Sequence, residues 1–276
     1  MNYSIIKTSV FITLSFLITS CKTNNKPSIS IKKETISVIK YAKGFDLITE
    51  NEQQKIIIKA PYPNSKETFT HILGTNKGDV KHPVEKIVVT STTHIPILEL
   101  LDKEHTLVGF PHTKYISSEK TRALIDSGFV KELGKEQSLN TEVLLDIHPD
   151  VVIGFSMNKS NKTFTTIERS GIPVIINGDW LEETPLGRAE WIKLFGALSN
   201  SFEEAEQYFS EIESIYFELK EEAKSLSTSP TVLSGNILGD IWYAPNGNSF
   251  VAQMLEDAHV TYKYHETKGT GSLQLS

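Results

Sequence analysis

The chain has 276 residues, of which 39% are hydrophobic and 22% charged, and its formal net charge is −6. This composition is typical of a globular protein, and the length allows one large domain or two lobes. The acidic balance argues against nucleic acid as a partner, because phosphate binding needs clustered basic residues.

The first residues have the pattern of a secretory signal. A start containing Lys7 precedes an apolar run at residues 10–18, and Thr19 and Ser20 precede Cys21, the only cysteine. The run is shorter than the roughly twenty apolar residues that a membrane-spanning helix needs. The sequence ITSC resembles a bacterial lipobox, in which the cysteine becomes the first mature residue and carries lipid. A plain secretory signal is the alternative.

The lipobox predicts where the protein resides. Residues 1–20 are expected to be a lipoprotein signal peptide, with lipid attachment at Cys21. Residues 21–40 are polar and turn-rich, which favours a flexible tether. We therefore expect a protein anchored by its lipid in the cell envelope, on the periplasmic face of a bacterial membrane.

Residues 41–84 predict a small β-hairpin region. The runs KIIIKA and FTHIL are rich in β-branched and aromatic residues, and the turn cluster PYPNSKE separates them.

From residue 85 onward, apolar strands alternate with helices. The predicted strands are EKIVVT, HTLVGF, DVVIGF and IPVIING, and the helices between them are PILELLD, NTEVLLDIHPD and KTFTTIERSG. Thr92 or Thr93 is placed to cap the first helix and Asn140 the second, while Gly171 ends the third. Continuous apolar strands of this kind predict a parallel sheet buried on both faces, with ligands at the carboxyl ends of its strands.

The alternation stops after residue 184, where two consecutive helices are predicted. The second, beginning SFEEAEQYF, has apolar residues at steps of three and four, and Ser199, Asn200 or Ser201 is placed to cap it. Its roughly 25 residues would span about 35–40 Å. A helix of this length within an α/β chain indicates a brace between two lobes.

Residues 228–276 resume the alternation. TVLSGNI, IWYA and VTYKYHE are predicted strands, and SFVAQMLEDA is a predicted helix. These elements are too few to close a sheet, so we expect an incomplete second lobe.

Three stretches carry a resemblance to a known family. They are KIVVTSTTHIPILELL followed by LVGF, then NTEVLLDIHPDVVIGF, and then GIPVIINGDWLEETPLGRAEWIKLFGAL. With the long helix and the lipobox, they resemble the solute-binding lipoproteins of ABC importers that carry ferric siderophores, haem and cobalamin. The resemblance covers about residues 85–276. It implies an α/β fold of two Rossmann-like lobes (85–184, and an incomplete 228–276) joined by long, rigid helical connections (185–227), with a ligand cleft between the lobes.

The resemblance also implies a function. The protein would bind an iron chelate or cobalamin as a monomer without a resident cofactor, and would deliver it to an ABC permease and its ATPase. A surface lipoprotein that passes ligand to an outer-membrane partner is an alternative. An enzyme is not expected, since the chain has no G-x-S-x-G, P-loop, complete G-x-G-x-x-G or H-E-x-x-H motif.

Ligand contacts are expected from residues that follow the strands of the first lobe. This set is rich in aromatic side chains, which suit planar or macrocyclic ligands. The candidates are Thr93, His94, Phe110, His112, Tyr115, Phe155, Trp180 and, from the second lobe, Trp242. Phe110 and Phe155 could equally complete the core, and Trp242 could pack within its strand.

Histidines raise the alternative of an importer of bare zinc or manganese. Its ligands would be His94, His112 and Asp179. No H-x-H or H-E-x-x-H spacing supports such a site, and a lone loop histidine is more often a hydrogen-bonding residue.

The basic residues bear on the charge of the ligand. Only Arg122, Arg169 and Arg188 can offer the guanidinium fork that suits anionic chelates. Arg169 lies late in a helix and Arg188 in the hinge, which leaves little for a ferric catecholate. The sequence therefore predicts a less charged ligand, such as cobalamin, haem or a hydroxamate chelate.

Glu182, Glu183 and Glu190 cluster near the hinge. Members of the family dock on their permease through surface glutamates, but these three cannot be matched to those positions. Solvated carboxylates at a helix start are the favoured interpretation.

Overall fold

The computed structural model describes residues 37–135, 138–159 and 161–276. The predicted signal peptide, Cys21 and most of the predicted tether lie outside these residues. Within the described part of the chain, no helix combines the length and apolar character needed to cross a membrane.

The N-terminal region is a four-stranded sheet in the order β1-β2-β3-β4. Its strands are β1 (Phe45–Glu50), β2 (Gln53–Lys59), β3 (Thr68–Gly74) and β4 (Val80–Lys81). The predicted strands KIIIKA and FTHIL correspond to the antiparallel pair β2 and β3, and β1 and β4 extend this hairpin to four strands. In the run FDLITE, Phe45 and Leu47 are buried because alternate residues of a strand share one face. This strand pairs antiparallel with β2.

A five-stranded parallel sheet forms the centre of the fold, in the order β11-β10-β5-β6-β7. The strands from β5 onward are β5 (Ile87–Val89), β6 (Leu107–Phe110), β7 (Lys131–Glu132), β8 (Gly134–Lys135), β9 (Ser138–Leu139), β10 (Val151–Gly154) and β11 (Val174–Ile176). The helices of this region are α1 (His94–Leu100), α2 (Glu119–Asp126), α3 (Thr141–Ile147) and α4 (Lys162–Arg169). The predicted parallel sheet is confirmed, and α2 and β7–β9 are additions to the predicted elements.

Both faces of the apolar strands β5, β6, β10 and β11 are largely buried, as their continuous apolar runs predict, whereas the polar edge strand β7 is exposed. Val88 and Val152 point to one face and join a cluster with Phe164 of α4. Val89 and Ile153 point to the opposite face and join the larger cluster, which contains α1 and the N-terminal sheet. Alternate residues of each strand therefore tie the sheet to two different layers.

Only some of the predicted helix-capping residues cap their helices in the structure. Asn140 caps α3, because its side chain accepts the Val143 N–H at 3.2 Å. Thr93 precedes α1 but makes no capping hydrogen bond, since its hydroxyl pairs with the Ser91 hydroxyl at 2.8 Å. Gly171 follows α4 with a φ of +90°, a left-handed conformation that suits glycine.

Three helices follow the parallel sheet: α5 (Pro185–Ala189), α6 (Ile192–Leu198) and α7 (Phe202–Ser225). The predicted long helix is confirmed as the 24 residues of α7, which span about 36 Å. Ser201 stands at its N-cap without a capping hydrogen bond, because its hydroxyl pairs with the Ser199 hydroxyl.

Glu190 is buried, which corrects the interpretation of a solvated carboxylate. It is fully shielded from solvent and pairs with the equally buried Lys193 at 2.9 Å. Its two oxygens accept the N–H groups of Lys40, Tyr41 and Ala42 at 2.9, 2.6 and 2.9 Å. Glu190 thus anchors residues 40–42, which lie near the start of the described residues.

Glu182 binds the residues that follow in the same way. Buried as well, it accepts the N–H groups of Lys43 and Gly44 at 2.9 and 2.8 Å and the indole N–H of Trp191 at 3.0 Å. Only Glu183 is exposed, in an ion pair with Lys43. We refer to residues 40–44 as the clamped segment.

Residues 228–276 form short strands around one helix. The strands are β12 (Thr231–Val232), β13 (Asn236–Leu238), β14 (Ile241–Pro245), β15 (Thr261–Tyr262) and β16 (Ser272–Leu275), and the helix is α8 (Phe250–Asp257). β12 pairs with β15 in parallel, while β14 lies between β13 and β16 in an antiparallel sheet. The predicted strand TVLSGNI is two strands, because Gly235 between them adopts a φ of +139°. The predicted lobe boundaries stay predictions.

Candidate functional site

The strand order places a crevice between β5 and β10. The chain runs from β5 to β6 on one side of β5 and later returns to β10 on its other side. At such a reversal the connections leave the sheet in opposite directions, which opens a gap at the carboxyl ends of the strands. Ser91 follows β5 and Phe155 follows β10, and both residues line two adjoining pockets in this gap.

The larger pocket, which we call the Trp180 pocket, has a volume of about 370 Å³. Phe155 and Trp180 face each other there edge to face, with ring centroids 6.4 Å apart. The lining residues are Ser91, Thr93, His94, Ile97, Phe155, Met157, Asp179, Trp180 and Arg188. The fold therefore brings Thr93, His94, Phe155 and Trp180 of the predicted set together.

The smaller pocket, the Tyr115 pocket, has a volume of about 260 Å³. Phe110, His112 and Tyr115 of the predicted set line it. The rings of His112 and Tyr115 meet edge to face at 5.5 Å, and Tyr115 is 63% exposed. Phe110 is almost fully buried, so it serves the core and the pocket wall together.

The loop of the Tyr115 pocket is held by Glu132. Its carboxylate accepts the N–H groups of His112, Thr113 and Gly134 at 2.8 to 2.9 Å. Burial acts to raise the pKa of Glu132, but the hydrogen bonds from Thr113, Gly134 and His112 outweigh it, so the pKa lies below its ordinary value. A charged Glu132 thus keeps His112 in its left-handed backbone conformation, with a φ of +50°.

Trp242 is the one predicted residue that lines neither pocket. It lies in β14, where it pairs with Ile237 on one side and Leu275 on the other. A role for Trp242 in binding stays a prediction.

His94 is buried, and its tautomer follows from its neighbours. The Asn177 side-chain oxygen accepts the Asp179 N–H at 2.8 Å, so the amide nitrogen of Asn177 faces His94 Nε2 at 2.9 Å. That nitrogen can only donate, which makes Nε2 the acceptor and places the imidazole proton on Nδ1. Burial lowers the pKa of His94 to about 3, so the ring is neutral at physiological pH.

The three residues considered for a bare metal ion do not share one pocket. His94 and Asp179 line the Trp180 pocket, whereas His112 lines the Tyr115 pocket. Neither nitrogen of His94 offers a free lone pair, because Nε2 faces the Asn177 amide and Nδ1 carries the proton. Among the described residues, no three His, Cys, Asp or Glu side chains are grouped so as to hold a metal ion.

Arg188 lines the Trp180 pocket, a position that the sequence patterns did not predict. It lies in α5, and its guanidinium donates to the Trp180 carbonyl at 3.1 Å and stacks 4.0 Å from the centroid of the Phe250 ring. Burial lowers the pKa of Arg188, and the neighbouring Asp179 opposes that change. The other two arginines lie elsewhere: Arg122 pairs with Asp126, and Arg169 is exposed on α4.

Asp179 is the acidic member of the Trp180 pocket. Burial raises its pKa above the ordinary value, while the Trp180 N–H and the Arg188 guanidinium act in the opposite direction.

The sequence signal that could have placed Arg188 in this pocket was its spacing of eight residues from Trp180. A short helix at that distance can fold back over the turn that precedes it.

The arrangement of the site and sheet is that of an α/β binding protein. The chain belongs to the periplasmic binding protein family, whose sequence profile matches residues 87–276. The resemblance given by the sequence and the predicted α/β fold with its long helix are thereby confirmed.

Two curated relatives come from Methanocaldococcus jannaschii, and both are named uncharacterised lipoproteins. One is 25% identical over 279 residues, covering 89% of this chain and 66% of the relative. The other is 24% identical over 212 residues, covering 72% of this chain and 53% of the relative. The chain thus spans between about half and two thirds of the length of these relatives.

Solved structures share the fold at low sequence identity. A periplasmic binding protein from Veillonella parvula has a TM-score of 0.61 at 17% identity, covering 82% of this chain and 69% of that one. The periplasmic haem-binding protein HutB of Vibrio cholerae has a TM-score of 0.56 at 18% identity, covering 70% of each chain. The petrobactin-binding protein YclQ of Bacillus subtilis has a TM-score of 0.56 at 14% identity, covering 79% of this chain and 71% of that one.

Proposed function

We propose that the protein binds an iron chelate, either a ferric siderophore or haem, and delivers it to an ABC permease and its ATPase. The observation that carries the proposal is the aromatic crevice between β5 and β10, where Phe155 joins the Trp180 and Tyr115 pockets. Flat apolar walls with a few polar groups suit a planar or macrocyclic ligand. The haem-binding and petrobactin-binding proteins of the same fold support this class of ligand.

The chemistry of His94 favours a chelate over a bare ion. Neither of its nitrogens is free to coordinate a metal, since one faces the Asn177 amide and the other is protonated. A ligand that brings its own coordination sphere needs no such nitrogen. Cobalamin, the third ligand of the predicted class, meets this condition as well and belongs in the same test.

The proposed location is the cell envelope, on the periplasmic face of a bacterial membrane, through a lipid on Cys21. The ITSC sequence and the two relatives named lipoproteins support this. Labelling with a radioactive fatty acid, compared between the wild type and Cys21→Ser, tests the attachment.

A fluorescence titration tests the binding function. Protein lacking residues 1–20 is titrated with haem, cobalamin, ferric siderophores and zinc, following the tryptophan emission, to which Trp180 in the pocket contributes. We expect saturable quenching by at least one chelate. Phe155→Ala should weaken its binding at least about tenfold, while Phe217→Ala on the surface of α7 serves as the control. No response to any chelate would refute the proposed function.

A further inference from the structure

Another pocket lies between the N-terminal sheet and β11, the edge strand of the parallel sheet, and we call it the Glu168 pocket. Its volume is about 310 Å³, near the lower end of the range of about 300 to 1,000 Å³ for small-molecule sites. It shares no lining residue with the two pockets of the crevice. One of its walls comes from the N-terminal sheet, which lies outside the residues that match the family. The ligand site of the family therefore does not account for this pocket.

Strand β3 supplies the first wall. Phe69 and His71 lie two residues apart in β3 and therefore share one face of the sheet. That face is the core face, because β2 presents the buried Ile56 and Ile58 opposite them. Phe69 is nevertheless 41% exposed. The core face of the N-terminal sheet is thus left uncovered where it meets the pocket.

Helix α4 and strand β11 supply the opposite wall. Phe164, Thr165 and Glu168 line the pocket at steps of three and four, so they lie on one face of α4. This spacing places the Glu168 side chain on the pocket side of the helix. Val174 and Ile176 alternate along β11 and pack with Phe164 in the smaller cluster, which makes the base of this wall apolar.

The charges of the pocket favour a cation. The ammonium of Lys159 is already bound to Glu67. Glu168 is exposed, and its carboxylate forms no hydrogen bond or ion pair with any residue that the structure describes. The wall partly removes this carboxylate from water, and the burial raises its pKa. A cation beside Glu168 would supply the opposite charge that the described pocket lacks.

His71 does not oppose a cation. Burial lowers its pKa to about 4, so the ring is neutral at physiological pH. Its nitrogens have no hydrogen-bond partner among the described residues, yet they are not completely buried. A neutral imidazole offers one acceptor and one donor nitrogen. The wall formed by β3 therefore presents a polar group without charge next to the apolar ring of Phe69.

We propose that the Glu168 pocket is a second binding site, which takes a small organic cation consisting of an amine with an aromatic body. The ammonium pairs with Glu168, and the body covers the exposed part of the core face at Phe69. Attraction between a cation and the rings of Phe69 and Phe164 adds to the preference. An anion is disfavoured, because Lys159 is bound to Glu67 and Glu168 would repel it. The inference is independent of the proposed function.

Matched pairs of probes test the charge preference without any substitution. The protein used for the chelate titration is titrated with benzylammonium, 2-phenylethylammonium and tryptammonium, and with benzyl alcohol, 2-phenylethanol and tryptophol. Saturation-transfer nuclear magnetic resonance measures the affinity of each probe. At least one ammonium probe should bind about tenfold more tightly than its alcohol, because a hydrogen bond to a charged group is stronger than one between neutral groups.

Substitutions assign the binding to the pocket. Glu168→Gln keeps the size of the side chain but removes its charge, so the ratio of ammonium to alcohol affinity should fall at least about threefold. Phe69→Ala removes an apolar wall, so both members of a pair should weaken by at least about threefold. Glu142→Gln, at an exposed carboxylate on α3, is the matched control and should keep the wild-type affinities. Because Glu168 and Phe69 are both exposed, the variants should fold.

Three results would each refute the inference. They are the absence of binding by all three ammonium probes, equal binding of each ammonium probe and its alcohol, and a wild-type ratio in Glu168→Gln. None of them bears on the chelate titration, which tests the crevice between β5 and β10. The proposed function and this inference can therefore fail separately.

Discussion

At the scale of single residues, the buried ion pair of Glu190 and Lys193 has a large consequence for stability. A carboxylate that is removed from water must be compensated by opposite charge and by hydrogen bonds. Glu190 has both, because Lys193 lies 2.9 Å away and three backbone N–H groups of the clamped segment donate to it. The ammonium of Lys193 also pairs with Glu206 and lies 4.3 Å from the Phe209 ring centroid, which ties the clamp to α7.

We expect Glu190→Gln to lower the free energy of unfolding by about 3 kcal/mol. The substitution keeps the shape but removes the charge that the Lys193 ammonium and the clamped segment need. Urea denaturation of both proteins, followed by circular dichroism, measures the difference. Glu183→Gln is the matched control, since Glu183 is exposed and its surface ion pair contributes less than about 1 kcal/mol. Equal effects of the two substitutions would contradict the assigned role of Glu190.

At the scale of elements, α6 and α7 approach each other closely at one glycine. A Cβ atom built on Gly196 would lie 2.5 Å from the Ala205 Cβ and 2.9 Å from the Ser201 carbonyl oxygen. Both distances are shorter than van der Waals contact allows, so the two helices can pack this closely only without a side chain at residue 196. This contact fixes the position of the first turn of α7, which carries Phe202 and Ala205 to the larger core cluster.

Gly196→Ala is therefore expected to destabilise the protein by about 1–3 kcal/mol through overpacking. Helix propensity alone predicts the opposite sign, a gain of about 1 kcal/mol. The double substitution Gly196→Ala with Ala205→Gly removes one of the two close contacts, and it should recover some of the loss. Thermal unfolding of the wild type, the single variant and the double variant measures the order of their stabilities. A Gly196→Ala protein more stable than the wild type would show that α6 and α7 can move apart at little energetic cost.

At the scale of the whole molecule, the sequence predicted what local patterns determine. The capping residue Asn140 predicted the start of α3. The apolar runs around Val88 and Val152 predicted strands that are buried on both faces. The pocket residues that directly follow strands, such as Phe155 and His112, were predicted for the same reason, since the carboxyl ends of parallel strands meet at one edge. Whether these residues bind a ligand stays a prediction.

Local sequence patterns could not predict the contacts between distant segments of the chain. Glu190 holds the N–H of Lys40 across 150 residues, and its neighbouring sequence reads as an ordinary helix start. Arg188 reaches the Trp180 pocket only because α5 folds back over the turn that carries Trp180. The alternation of residues along β14 predicts which of them lie on the same face as Trp242. It does not predict which pocket that face lines.

The N-terminal sheet belongs to the same core as the parallel sheet, although it lies outside the residues that match the family. Phe45 is fully buried, with its ring 4.6 Å from the ring of Trp191, and the same cluster continues through Ile56 to Ile153 of β10. A continuous core of this kind couples the two sheets, so they should unfold in a single transition.

Phe45→Ala tests this coupling directly. The loss of a buried aromatic ring should lower the free energy of unfolding by about 3–5 kcal/mol. If the core is continuous, the fluorescence of Trp180, Trp191 and Trp242 and the far-ultraviolet circular dichroism should shift together to one lower urea midpoint. Phe69→Ala, in the same N-terminal sheet but 41% exposed, should cost far less. Two separate transitions in Phe45→Ala, with the fluorescence midpoint unchanged, would instead mean that the parallel sheet and its pockets are stable without the N-terminal sheet.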